Sequence, residues 1–163
     1  MSVVLTPIGS DDWELLRDLR ARVLSTDPDA FGSTLEEEQQ YDETHWRGRL
    51  GRGYSVVAQL DELPVGLGGL FEVAPGVSMV VSMWVAPEAR GQGIGRLILD
   101  DVLAAVPREN RVVLWVSDGN TAARRLYERA RFVDTGQKEP LRPGSAVTKS
   151  EMELRRSRGS RRD

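Results

Sequence analysis

Apolar and polar residues alternate along residues 77–85, and this pattern predicts a central strand. β-branched residues at period two are typical of a strand that is largely buried on both faces. After Pro87 the apolar spacing changes to three and four residues, which predicts an amphipathic helix. The apolar face of this helix comprises Ile94, Leu97, Ile98, Val102 and Leu103. A glycine-rich loop at residues 90–95 joins the two elements, so we expect the helix to begin within the glycines.

The same patterns predict two helical segments near the start of the chain. Asp11 and Glu14 can form a capping box for the first, and Ser33 and Glu36 can form one for the second. We expect a kink in the second helix near Asp42. The acidic run at residues 36–38 is typical of a solvated helix face.

Short apolar runs bounded by turn residues predict six more strands. They span residues 3–7, 54–60, 64–71, 111–116, 132–137 and 148–154. A right-handed helical crossover should place the strand at residues 111–116 parallel to the central strand. One βαβ unit would then lie within a mostly antiparallel sheet. Asn120 should cap the helix that follows this unit.

The loop at residues 90–95 is the first candidate for chemistry. A helix that begins after a strand and a glycine-rich loop directs unpaired backbone N–H groups and the positive end of its dipole at one point, which favours an anion. Arg96 and Leu97 follow Gly95, so the lysine and hydroxyl residue of a P-loop are absent. Arg96 also stands where a dinucleotide fingerprint needs its third small residue.

Composition narrows the class of protein. The chain has 163 residues, of which 40% are hydrophobic and 29% are charged, as in a one-domain globular protein. We see no apolar run of 18 residues and no charged-then-apolar leader, so we expect a cytoplasmic protein without a membrane partner. The absence of cysteine excludes thiol nucleophiles and zinc–thiolate sites, and the single histidine, His45, excludes a histidine-rich metal site. We therefore predict no metal.

The charge is unevenly distributed. Residues 155–163 contain five arginines and one aspartate, which gives this segment a net charge of +4. The whole chain has a net charge of −3, so residues 1–154 carry a net charge of −7. An acidic body predicts no nucleic-acid partner and favours the approach of a cationic amine. The arginine-rich tail has almost nothing apolar to bury, so we expect it to be disordered, with an arm for a nucleic acid or an anionic surface as the alternative. We predict one domain at residues 1–154.

Two motifs resemble the GNAT superfamily of N-acetyltransferases. Arg90-x-x-Gly93-x-Gly95 resembles its acetyl-CoA pyrophosphate loop, and Asn120-x-x-Ala123-x-x-x-Tyr127 resembles its second half-motif. The family more often has glycine at the position of Arg131. The resemblance implies an α/β (α+β) GNAT fold, in which a mixed, mostly antiparallel seven-stranded sheet with one βαβ unit is flanked by about four helices. It also implies acetyl-CoA as co-substrate and transfer of its acetyl group to a primary amine.

The resemblance assigns roles to individual residues. The N–H groups of residues 91–96 would hold the pyrophosphate while Arg90 shapes the loop, and the backbone of residues 83–85 would pair with the pantetheine arm where the strands splay. Asn120 would contact that arm, and Ala123 would leave room beside it. The implied cofactor-binding residues are Met83, Trp84, Val85, Arg90, Gly91, Gln92, Gly93, Ile94, Gly95, Arg96, Asn120 and Ala123.

The resemblance also implies catalytic residues. Tyr127 would be the general acid that protonates the leaving thiolate. The central strand carries no carboxylate, so Glu72 and Asp118 are the candidate proton acceptors, with water as a relay. Each of the two carboxylates is also consistent with a solvated loop residue.

Other functions stay open at this point. One is a non-catalytic sensor of CoA or a nucleotide, in which Tyr127 is only a packing residue. Another is a mononucleotide-binding module that uses Asp118 for the ribose. The acceptor amine is a small molecule or a peptide, and no sequence motif identifies it. We expect residues 30–46 and 140–144 to form the walls of its binding site. Exposed edges of the last strands are compatible with a homodimer.

Overall fold

The computed structural model describes residues 2–156, which contain seven strands and five α-helices. The strands are β1 Val3–Ile8, β2 Gly53–Leu60, β3 Leu63–Ala74, β4 Val77–Val85, β5 Arg111–Ser117, β6 Phe132–Pro140 and β7 Thr148–Leu154. The helices are α1 Trp13–Thr26, α2 Leu35–Glu38, α3 Glu43–Gly51, α4 Ile94–Ala104 and α5 Thr121–Arg129. Residues 157–163 of the predicted tail lie outside the described residues.

All seven strands form one sheet in the order β1-β2-β3-β4-β5-β7-β6. Every neighbouring pair is antiparallel except β4 and β5, which are parallel and are joined through α4. The predicted GNAT arrangement with one βαβ unit is therefore confirmed. Asp61 and Glu62 both have positive φ, as a tight two-residue hairpin between β2 and β3 requires.

The two parallel strands separate after a short paired segment. Val77, Ser78 and Met79 of β4 pair with residues 111–113 of β5, and the ladder ends there. Beyond Met79 the strands therefore splay and leave their facing backbone edges unpaired with each other. This opening is the predicted place for a ligand between the carboxyl ends of β4 and β5.

Two glycines of β3 allow α4 to lie directly on the sheet. A Cβ at Gly66 would come within 2.6 Å of Ile98, and one at Gly68 would come within 2.4 Å of the same side chain. Leu67 lies between them, points to the other face of the sheet and is buried as well. The start of α4 is thereby fixed close to the end of β4.

The helical region before β2 differs from its prediction. The capping box of Asp11 and Glu14 does not form, because α1 begins only at Trp13 after a 3₁₀ turn at Ser10–Asp12. Thr34 rather than Ser33 caps α2, by accepting a hydrogen bond from the Glu37 N–H at 3.2 Å. The kink expected near Asp42 is a complete break between α2 and α3.

Two burial predictions were also wrong. β4 is not buried on both faces: Ser78, Val80 and Trp84 are buried, whereas its other residues are half-buried because the opening beside β5 runs along the strand. The acidic run at residues 36–38 is not a uniformly solvated face, because Glu38 is buried against Arg20.

Candidate active site

A cleft of about 750 Å³ opens where β4 and β5 splay. The end of β4, the start of α4, the start of α5 and residues 26–31 form its walls. Of the predicted cofactor-binding and catalytic residues, these line it: Met83, Trp84, Val85, Arg90, Gly91, Gly93, Ile94, Gly95, Asn120, Ala123 and Tyr127. The structure thus brings both sequence motifs to one cavity.

The loop before α4 presents its backbone to this cleft. Gly93 is the N-cap residue and has φ +79°, while Gly91 has φ +80°, so both adopt the left-handed conformation that glycine favours. A Cβ at either position would meet nothing within 4 Å, which means that the space in front of the loop is open. The prediction that the helix begins within the glycines is confirmed.

The N–H groups of this loop are available to a ligand. Among residues 2–156, the backbone hydrogen bonds of the turns and loops include a donor at Arg90 and one at Leu97 but none at residues 91–96. Six consecutive donors with the helix dipole behind them suit a diphosphate. The donor set therefore fits the pyrophosphate of acetyl-CoA.

Arg90 turns back onto the body of the protein. Its Nε donates to the Val85 carbonyl at 2.9 Å, and its Nη2 donates to Asp27 Oδ2 at 2.8 Å. The same carboxylate oxygen accepts from Trp84 Nε1 at 2.9 Å. Burial alone would raise the pKa of Asp27, but hydrogen bonds from Thr26, Trp84 and Arg90 outweigh it and lower the pKa. Arg90 thus connects the loop to Val85 and Asp27 and so fixes the shape of the loop.

Tyr127 and Asn120 lie on the α5 side of the cleft. The Asn120 side chain accepts a hydrogen bond from the Ala123 N–H at 3.2 Å and so caps α5, as predicted. Tyr127 is buried, and its ring packs edge to face on Phe132. Burial raises the pKa of Tyr127 above its usual value, so the phenol keeps its proton through the neutral range.

A model of the acetyltransferase (GNAT) family matches residues 16–132, which is more than half of the chain. The chain belongs to the GNAT family of acetyltransferases. It is therefore an acyltransferase that uses acetyl-CoA, and transfer of an acetyl group is its chemistry. The match begins in α1 and ends at the first residue of β6, so it includes the whole glycine-rich loop before α4 and both strands of the splayed opening.

Solved structures share this GNAT fold at low sequence identity. A GNAT acetyltransferase from Streptococcus pneumoniae is 19% identical with a TM-score of 0.76, covering 93% of this chain and 98% of that one. YncA from Salmonella typhimurium, solved with its cofactor acetyl-CoA, is 16% identical with a TM-score of 0.75 and covers 100% and 99%. NAA60 from Arabidopsis thaliana, in complex with a bisubstrate analogue, is 17% identical with a TM-score of 0.66 and covers 94% and 98%.

The two carboxylates predicted as proton acceptors lie outside the GNAT cleft. Glu72 pairs with Ser78 in the register of β3 and β4, and its carboxylate accepts from the Gly76 N–H and from Asn110 Nδ2. Asp118 lies closer, between the lining residues Ser117 and Gly119. Hydrogen bonds from Ser150 and Thr148 lower the pKa of Asp118, and Lys138 pairs with it at 3.3 Å. Their role as base stays a prediction.

The acceptor side of this GNAT enzyme contains residues that the sequence did not reveal. Arg142, from the loop between β6 and β7, donates to the Phe31 carbonyl at 2.9 Å and so joins the two predicted acceptor walls. Phe31 itself lines the cleft. A glycine at position 32 permits this contact, because its Cβ would lie 3.2 Å from the Leu141 carbonyl oxygen. Nothing local in the sequence marks Arg142 for this role.

A buried ionic cluster lies behind Phe31. We call Arg20, Glu38, Arg49 and Ser82 the arginine cluster. The Arg20 and Glu38 side chains are only 4% and 3% exposed and form two hydrogen bonds, at 2.9 and 2.5 Å. Burial would raise the pKa of Glu38, but the hydrogen bond and charge of Arg20, with the charge of Arg49, lower it. Glu38 is therefore ionised and paired.

Residues 2–156 contain no group of three or more His, Asp or Glu side chains placed to hold a metal ion. None of their helices has the length and apolar character needed to cross a bilayer.

Proposed function

We propose that this GNAT enzyme transfers the acetyl group of acetyl-CoA to a primary amine by direct attack within a ternary complex. The observation that supports this most is that one cleft is lined by Tyr127 and by four residues of the loop with free N–H groups, namely Gly91, Gly93, Ile94 and Gly95. A cofactor held by the loop would extend along the splayed strands towards the tyrosine. The chain contains no cysteine, so an acetyl-thioester relay through the protein has no nucleophile.

The loop and β4 would position the acetyl group. The N–H groups of residues 91–96 would bind the diphosphate, with Asn120 and Ala123 beside the pantetheine arm. The backbone of residues 83–85 would pair with the pantetheine amides, because β5 leaves that edge unpaired. An N–H at Met83 or Trp84 would then donate to the thioester oxygen, where negative charge develops during attack. Acetyl-CoA supplies the activated acetyl group.

Tyr127 would act as the general acid. It keeps its proton at neutral pH and lines the cleft, so it can donate that proton to the thiolate sulfur as the carbon–sulfur bond breaks.

The proton released by the attacking amine needs a separate acceptor. Asp118, flanked by two lining residues, would receive it through water and pass it to solvent, since its lowered pKa keeps it ionised. Glu72 is the more remote candidate.

The walls of the acceptor side do not restrict the substrate to one kind of amine. Residues 28–31 and the β6–β7 loop form its walls, and both a small molecule and a peptide amine remain candidate substrates. The cytoplasmic location, the absence of a nucleic-acid partner and the homodimer remain predictions.

Release of thiol from acetyl-CoA in the presence of a panel of primary amines tests the proposal. We expect release that depends on the amine, an acetylated product by mass spectrometry and initial-rate lines that intersect, as a ternary complex requires. Binding of CoA with no release for any amine would support the sensor function instead. Parallel lines would exclude direct attack.

A further inference from the structure

Ser82 interrupts the regular geometry of β4. Val81 pairs with Gly69 and Trp84 pairs with Leu67, so Ser82 and Met83 together lie opposite Gly68 in a β-bulge. Ser82 has φ +58°. Glycine is the usual residue at such a bulge position, because a Cβ clashes with the following backbone in the left-handed region. A serine therefore needs contacts that hold it there.

The arginine cluster supplies those contacts. The Ser82 Oγ accepts from Arg20 Nη1 at 3.3 Å and from Arg49 Nη2 at 3.3 Å. Glu38 fixes both guanidinium groups: it accepts two hydrogen bonds from Arg20 and lies 3.6 Å from Arg49 Nη1. Residues of α1 and α3 thus donate to the hydroxyl of one strand residue, and Glu38 of α2 holds both of them.

The position of the bulge gives this network a consequence for the cleft. It separates the part of β4 that pairs with β5, which ends at Met79, from residues 83–85, which line the cleft. The dihedral angles of Ser82 determine where the next N–H groups point. These are the groups, at Met83 and Trp84, that the proposed function assigns to the thioester oxygen. Arg20 also lies 5.3 Å from the centre of the Phe31 ring, so the cluster contacts a second cleft wall.

We propose that Ser82 is a positioning residue, whose hydroxyl, held by Arg20, Glu38 and Arg49, fixes the bulge and thereby the N–H groups that polarise the acetyl carbonyl. The inference rests on the proposed function. Ser82 acts through the backbone that follows it. The arginine cluster stabilises the bulged conformation of β4 relative to a regular strand. In a regular strand, the side chains of residues 83–85 would each point to the other face of the sheet.

The test compares two variants of Ser82 with one of Ser78. Ser82→Ala removes the hydroxyl and keeps the unfavourable φ, so we expect kcat to fall about tenfold or more, since tenfold corresponds to only about 1.4 kcal/mol in the barrier. Ser82→Gly also lacks the hydroxyl but adopts positive φ freely, so we expect a smaller fall, about threefold. Affinity for CoA should fall less than kcat in both, because the loop at residues 91–96 is unchanged. Ser82→Gly keeps the test decisive if Ser82→Ala does not fold.

Ser78→Ala is the matched control. Ser78 is buried on the same strand, and its hydroxyl accepts from Asn110 Nδ2 at 3.1 Å, far from the bulge. We expect a lower melting temperature and an unchanged kcat. Full turnover by either Ser82 variant, or an equal loss of kcat in Ser78→Ala, would overturn the inference.

A second readout needs no turnover. In the protein without cofactor, the backbone amide resonances of Trp84 and Val85 should move in Ser82→Ala and stay in place in Ser78→Ala. Unmoved resonances in Ser82→Ala would contradict the positioning role even if the unmodified protein proves inactive. Absence of thiol release by the unmodified protein would count against the proposed function alone.

Discussion

The cofactor side of the cleft presents backbone atoms, whereas the acceptor side is held together by side chains. At residues 91–96 the contacts available to a ligand are N–H groups, and glycines keep the approach open. Behind Phe31, by contrast, the Arg20 guanidinium group and the Glu38 carboxylate are buried together, and Arg20 donates to the hydroxyl of Ser82 in β4. A backbone site follows from a short local motif, while a side-chain network depends on residues far apart in sequence.

The largest expected effect tests the acceptor side. Glu38→Ala would leave Arg20 buried without its partner, so the free energy of unfolding should fall by about 3–5 kcal/mol. Glu43→Ala removes an exposed partner of Arg47 and should lower the free energy of unfolding far less, because water screens an exposed ion pair. Urea denaturation of both variants measures the difference. Equal losses would mean that the arginine cluster contributes no more than a surface ion pair.

Tyr127→Phe tests the point where the two sides meet. The ring stays against Phe132 and only the hydroxyl is lost, so we expect folding and acetyl-CoA affinity to survive while kcat falls by about 10²-fold, the low range for loss of a general acid. A thiol has a pKa of about 8.5, so its thiolate leaves fairly well unprotonated and some turnover should remain. Unchanged kcat, with chemistry rate-limiting, would remove Tyr127 from the mechanism.

Gly93→Ala tests the cofactor side. Alanine at φ +79° is strained, so the loop should shift and weaken CoA binding by about tenfold or more. Gly76→Ala is the matched control, because Gly76 has φ +76° and equally open surroundings in the turn between β3 and β4. It should lose similar stability and keep its CoA affinity. Titration calorimetry with CoA would contradict the assignment if both variants bound equally well.

The smallest expected effect concerns pH. Because burial raises the pKa of Tyr127, its proton is lost only above the usual tyrosine value of about 10. We therefore expect no alkaline fall of kcat that belongs to Tyr127 between about pH 7 and 9.5. A fall within that range that disappears in Tyr127→Phe would show that the phenol titrates earlier.

The sequence could predict the proposed cofactor side because its determinants are local. Apolar spacing located β4 and α4, and the glycines marked the start of the helix where the N–H groups are free. Asn120 and Tyr127 followed from their position after β5. The exact bounds of α1 and α2 were missed: Asp12 accepts from the Gly9 N–H in a 3₁₀ turn that precedes α1, and Thr34 accepts from the Glu37 N–H at the start of α2.

The acceptor side could not be predicted in the same way. Glu36, Glu37 and Glu38 form one acidic run, and no neighbouring residue in the sequence distinguishes them. Glu38 is buried because Arg20, 18 residues earlier in the chain, lies next to it. Ser82 fits an alternating strand pattern, and its bulge arises from the register of β3. On the proposed cofactor side, the hydrogen bond from Arg90 to Asp27 likewise has no sequence signal, because it spans 63 residues.

A titration of the labelled protein with CoA, followed by its backbone amide resonances, tests most directly whether the loop before α4 holds the cofactor. We expect the largest shifts at residues 91–96 and at residues 83–85, with little change at Glu72 or in the turn at Gly76. The same amides should respond to the diphosphate portion alone, more weakly. Shifts concentrated elsewhere, with residues 91–96 unmoved at saturation, would contradict a cofactor site built from the backbone.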